Sequence, residues 1–184
     1  MRRLNLNADD DALPVMVPRN NKALAPTSPD RVRRLRKHLV RVLRAMKDPG
    51  LSTSPLRPAP AGFAARVAQT ACSLCRGFCC GNGADDAFLD AGTLARARHG
   101  SPTLSTRELL RLYVERVPAI AYEGSCIFHG KQGCTLDRSL RSDVCNAYFC
   151  GGLHSYIRGG DEEVPTVVIA GEGDEMRTSA VLRP

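Results

Sequence analysis

A mainly α-helical fold with irregular cysteine-bearing loops and a small C-terminal β-hairpin is the class this sequence predicts. Three observations carry it. Apolar residues recur at three- and four-residue steps in several segments bounded by helix caps. All eight cysteines lie between Cys72 and Cys150, in stretches punctuated by glycine. Near the C-terminus, VPTVVIA (164–170), GEGDE and MRTSAVL read as strand, turn and strand.

The basic segment RVRRLRKHLVRVLRAMK, residues 31–47, comes first among the helices. Val32, Leu35, Leu39, Val42, Leu43 and Met46 make one apolar stripe on it, with Asp30 placed to cap its start and Asp48-Pro49-Gly50 to stop it. It holds eight Lys/Arg and no acid, against a net charge of +7 for the whole chain. The preceding residues carry Pro14, Pro18, Pro26, Pro29 and three consecutive aspartates, the composition of a flexible tail. A second proline-rich stretch, LSTSPLRPAPAG, follows and ends at residue 62. Residues 1–62 are therefore expected to form a flexible N-terminal region with a separable basic arm, and 63–184 the folded domain. Such an arm suits nucleic-acid phosphates, an anionic membrane surface or an acidic protein.

Within 63–184, Ala64–Ala71 continues as a short helix into the first cysteines. Asp85 and Asp86 precede a helix over AFLDAGTLARARH, and Ser105-x-x-Glu108 is a capping box opening STRELLRLYVERV. Asn146–Arg158 reads as a last helix bearing the final cysteine.

Composition narrows the function. At 43% hydrophobic and 24% charged the chain is ordinary for a globular protein, and its longest apolar runs are far too short to span a bilayer. There is no Trp, and only four Tyr and five Phe, which argues against a base-stacking platform. The first twenty residues contain no apolar stretch of a secretory leader, so a cytoplasmic location is expected. In a reducing compartment, clustered cysteines are metal ligands or redox centres rather than disulfides.

The first cluster is Cys72-Ser-Leu-Cys75-Arg-Gly-Phe-Cys79-Cys80; the second is Cys126, Cys134, Cys145 and Cys150. A C-x-x-C pair lets two thiolates converge on one ion, and eight thiols suit one or two tetrahedral sulfur sites. The predicted cofactor is zinc or iron, with an iron–sulfur cluster among the iron options. Adjacent residues rarely both ligate one ion, so one of Cys79 and Cys80 is open to a second site, another pairing or a plain buried thiol. A disulfide framework and simple buried thiols are the competing readings.

These residues resemble the YkgJ-type cysteine-cluster family, whose domain is described as zinc- or iron-chelating with eight cysteines. The family pattern opens C-x-x-C-x-x-C-C and closes with Arg-Pro-x-x-Cys-Arg-x-Phe-x-Cys. CSLCRGFCC supplies the first part with one extra residue before the double cysteine, CIFHGKQGC the middle pair, and RSDVCNAYFC the last. Ser142 stands where the family has Pro, Asn146 where it has Arg, and Tyr148 where it has Phe. The resemblance covers about residues 70–152 and implies a bacterial, cytoplasmic, metal-binding protein.

His129 and His154 lie near cysteines in sequence, and Arg141 and Asp143 flank Cys145; each is a candidate for ligation or for orienting a loop. No G-x-S-x-G, P-loop or H-E-x-x-H motif is present, so no catalytic residue is assigned. The expected function is a metal-binding cysteine-cluster protein. Its alternatives are an iron–sulfur oxidoreductase or protein-modifying enzyme, and a zinc-dependent nucleic-acid-binding module that uses the arm.

Overall fold

The computed structural model describes residues 12–46, 56, 58–160, 163–171 and 175–184. Six α-helices and two small sheets are present among them. The chain divides into two compact units: residues 1–21, 59–78 and 149–184 in the first, 22–58 and 79–148 in the second.

The first unit is a three-stranded sheet covered by helices. Strand β1 (Leu13–Val17) runs parallel to β6 (Thr166–Ala170), pairing Leu13 with Thr166 and Val17 with Ala170. β6 pairs antiparallel with the short β7 (Arg177–Thr178), which makes the expected C-terminal hairpin; residues 172–174 at its apex lie outside the described residues. Every residue of β6 is buried, as a β-branched run at the centre of a sheet should be. Helices α2 (Gly62–Cys75) and α6 (Gly151–Gly159) pack on this sheet. Phe63, Val67 and Ala71 from α2, and Leu153 and Tyr156 from α6, meet Val15, Val17 and Val168 in one core.

The second unit is built on α1 (Pro29–Ala45), α3 (Ala91–His99) and α4 (Thr106–Val114). Beside them lies a four-stranded sheet, β2 (Leu24–Pro26), β3 (Ile120–Tyr122), β4 (His129–Gly130) and β5 (Gly133–Cys134), antiparallel throughout. Ser105 and Glu108 form the expected capping box, and Asp90 caps α3 by accepting from the Thr93 amide at 2.8 Å. The helix read from Ala87 starts later, at Ala91, because residues 84–88 turn with positive φ at Ala84, Ala87 and Phe88. Ser28, rather than Asp30, caps α1; Asp30 lies in the first turn and pairs with Arg33.

The division of the chain differs from the one read in the sequence. Of the region 1–62, the described residues 12–46 do not stand apart from the rest of the fold. Leu35, Leu39, Val42 and Leu43 of α1 are buried in the second unit's core with Leu94, Leu109, Tyr113, Ile127 and Phe128. β1 and β2 are likewise paired strands. An apolar stripe is stabilised by whatever covers it, and here that cover comes from helices some sixty residues downstream; proline content reports none of this. The linker residues 47–55 and 57, and the acidic run at 9–11, lie outside the described residues.

The last helix also differs. Instead of one helix over 146–158 there are two, α5 (Asp143–Ala147) and α6, separated by extended residues 148–150. At the start of α6 a Cβ on Gly152 would overlap the Met16 carbonyl, so only glycine lets the helix lie this close to β1.

Among the described residues, no helix is long and apolar enough to cross a membrane.

Candidate metal centre

All eight cysteines lie among the described residues. The two units divide them. Cys72, Cys75 and Cys150 belong to the first unit, and Cys79, Cys80, Cys126, Cys134 and Cys145 to the second.

In the first unit, Cys72 and Cys75 share the last turn of α2, three residues apart and so on one face. The C-x-x-C pair is thus helical rather than a tight turn. The helix ends at once: Arg76 is left-handed at φ 53°, and Gly77 follows at φ 68°. Cys75 Sγ accepts the Phe78 amide at 3.3 Å. Cys75 is buried in this unit's core, Cys150 packs partly against it, and Cys72 is exposed.

In the second unit the five thiols come from four segments. Cys79 and Cys80 lie in a 3-10 turn (Phe78–Asn82), Cys126 in the loop after β3, Cys134 on β5 and Cys145 on α5. Local hydrogen bonding draws these segments together. The Cys126 amide donates to the Cys80 carbonyl at 2.9 Å, and the Ile127 amide to the Ala84 carbonyl at 2.8 Å. The 80–84 turn therefore lies along the 126–127 loop. Cys126 is part of the core, with Cys80 and Cys134 packed on it.

The electrostatics report the same grouping. The Cys79 thiol is pulled down to about 7, chiefly by its hydrogen bond with the Cys80 thiol, with burial working against it. Cys80 is pushed up by that same bond, then by burial, then by the charges of Cys79, Cys126 and Cys134. Burial pushes Cys126 up to about 12; the Phe128 amide opposes this, and Cys134 and Cys145 add to it. Burial raises Cys145 too; the Ser142 hydroxyl opposes it, and Cys134 and Cys79 reinforce it. Each of the five thiols either feels or exerts this mutual repulsion.

The loop carrying Cys145 is braced by its own residues and by two that the sequence reading left unnamed, Arg96 and Tyr113. Arg96 donates to Asp143 Oδ1 at 2.6 Å and to the Arg141 carbonyl at 2.6 Å. The buried Ser142 caps α5 by accepting the Cys145 amide at 3.2 Å. Asn146 Nδ2 donates to the Arg138 carbonyl at 2.9 Å, and Tyr113 Oη to the Leu140 carbonyl at 3.0 Å. Arg141 Nε donates to the Leu136 carbonyl at 2.8 Å. Arg141 and Asp143 thus orient the loop. A local signal for Ser142 existed, since Ser-Asp before a helical turn is a cap pattern. None existed for Arg96, which lies 47 residues from Asp143.

Of the candidate histidines, His129 is almost fully buried, its Nδ1 bonded to Ser125 Oγ at 2.8 Å and its ring 4.5 Å from that of Tyr122. His154 is exposed on α6.

The donor chemistry fits a thiophilic ion: the groups whose charges act on one another here are thiols, and thiolates that repel one another are the groups a cation stabilises. Among the described residues, no three His, Cys, Asp or Glu side chains are arranged to hold a metal ion. The fit is one of donor type. No family model matches this chain, and no curated protein and no solved structure matches it.

Proposed function

We propose that this is a metal-binding cysteine-cluster protein that takes zinc or iron through thiolates, as its resemblance to the YkgJ-type family implies. The ligand set is drawn from Cys72, Cys75, Cys79, Cys80, Cys126, Cys134, Cys145 and Cys150. What supports the reading is that five thiols carried by four segments of one unit lie near enough for the ionisation of one to disfavour that of another. Thiols that only fill a core have no reason to share one region, and burial alone keeps them neutral and inert. A bound ion would supply positive charge to that region and tie the 79–83, 126–134 and 142–147 segments together. Its binding free energy would then become folding free energy. The chain's own contribution is to hold those segments in register, through the Cys126–Cys80 backbone bond and the Arg96 brace.

Anaerobic purification followed by elemental analysis and acid-labile sulfide assay tests this. Stoichiometric zinc without colour, or iron with sulfide and visible charge-transfer absorption, is the expected result. Protein that stays metal-free after growth with either metal, and binds neither when titrated anaerobically, would overturn the reading.

A further inference from the structure

The cationic face of α1 is left over once the fold has used the rest of that helix. Its apolar side is committed to the core through Leu35, Leu39, Val42 and Leu43. Asp85 takes two of its cations: Arg31 Nε lies 2.6 Å from Oδ1 and Arg34 Nε 2.6 Å from Oδ2. Arg33 pairs with the exposed Asp30. Arg36, Lys37, Arg41 and Arg44 are exposed and pair with no carboxylate among the described residues. At 100° per residue, positions 33, 36, 37, 41 and 44 fall within less than half the helix circumference. At 1.5 Å per residue they run about 16 Å along its axis. The result is a straight, rigid row of cations on a helix that cannot roll.

Three anionic partners compete for such a row. A lipid surface would hold an amphipathic helix mainly by taking up its apolar side, and that side is already buried. An acidic protein segment carries less charge per length than a nucleic acid. Duplex DNA presents one phosphate per about 1.7 Å of axis, so a length of about 16 Å offers roughly nine charges to five cations, with counterion release at each contact. Single strands are held by aromatic stacking, and α1 has no Phe, Tyr or Trp. Its exposed face also has no hydroxyl or amide side chain to read a 2′-hydroxyl, as RNA recognition requires. We propose that the exposed face of α1 docks on the phosphate backbone of duplex DNA without reading its sequence. The surface is independent of the thiol cluster, and its test leaves the metal reading standing or falling on its own.

The test uses the purified full-length protein and a labelled DNA duplex of about 20 bp and arbitrary sequence, followed by fluorescence anisotropy between about 50 and 200 mM salt. Five phosphate contacts predict a log–log slope of about −4.5. Arg36→Ala/Lys37→Ala/Arg44→Ala removes no ion pair and no core contact, so its circular dichroism and metal content should match the wild type. Its slope should fall to about −2, with at least tenfold weaker binding at 100 mM salt. Should that triple variant fold poorly, the single Lys37→Glu exchange serves, with a smaller loss in the same direction. A second DNA sequence should bind within about twofold. The proposal is overturned by no saturable binding at 50 mM salt, or by variants that bind like the wild type. Tighter binding to an RNA duplex, phosphatidylserine vesicles or polyglutamate than to the DNA would also overturn it.

Discussion

Gly83 lies so close to Cys126 that a Cβ at position 83 would sit 2.8 Å from the Cys126 Cβ and 3.1 Å from its sulfur. The turn that follows the double cysteine is therefore in contact with the most buried thiol of the second unit. Gly83→Ala should cost about 1–3 kcal/mol by overpacking. If the thiols act together, it should also lower bound metal per chain. Thermal unfolding and elemental analysis of the same sample check both. Combining it with Cys126→Gly should recover part of the stability and none of the metal.

Cys79 and Cys80 should behave differently despite being neighbours. Cys80 is partly buried, and the charges of Cys126 and Cys134 act on it; Cys79 is exposed. Cys80→Ser is expected to lose more metal and more stability than Cys79→Ser. Metal stoichiometry of the two variants, prepared anaerobically side by side, measures this. Equal losses would mean that both thiols ligate.

Asp85 ties α1 to the 84–88 turn and makes stability fall in acid. Burial alone would raise its pKa, but the hydrogen bonds from Arg31 and Arg34, with their charges, outweigh it and hold the carboxyl below its ordinary value of 3.8. The unfolded chain then binds the proton more readily than the folded one. The stabilisation is fully present above about pH 4 and is lost as pH falls through the lower, folded value. Asp85→Asn should cost about 1–3 kcal/mol at neutral pH, since it leaves Arg31 partly buried without its anion. The difference from wild type should shrink below about pH 4 in denaturant titrations.

The docking of α1 predicts that the N-terminal third cannot be removed cleanly. Leu39 is fully buried, and Leu39→Ala should cost about 2–5 kcal/mol, read from urea unfolding. A chain beginning at residue 63 lacks α1 and β1 and should fail to give a cooperative transition. A separable arm would instead leave both measurements near wild type.

In the first unit, Gly152→Ala should be among the most disruptive small substitutions, because the new methyl overlaps the Met16 carbonyl on a paired strand. A loss of several kcal/mol is expected. Gly151→Ala, where nothing lies within 4 Å of the added Cβ, is the matched control and should be close to neutral. Far-UV circular dichroism against temperature separates them.

What the sequence determined by itself was local. The capping box at Ser105 and Glu108, the stripe on α1 and the terminal hairpin are interactions among residues three or four apart, or across one turn. Their chemistry is written in adjacent letters. The grouping of eight thiols into a short interval was also legible, because cysteine is scarce and its spacing carries information. Only the tertiary structure decided which partners those elements have. β1 pairs with β6 across about 150 residues, Arg31 and Arg34 find Asp85 more than fifty residues on, and Arg96 reaches Asp143. An extended segment such as LPVMV makes its ladder bonds to another strand, and an apolar helix face is held by whatever covers it; neither names its partner in its own composition. The same holds for the thiols. Spacing brought Cys72 and Cys75 onto one helical turn, whereas the company of Cys79, Cys80, Cys126, Cys134 and Cys145 arose from packing four separate segments of the second unit.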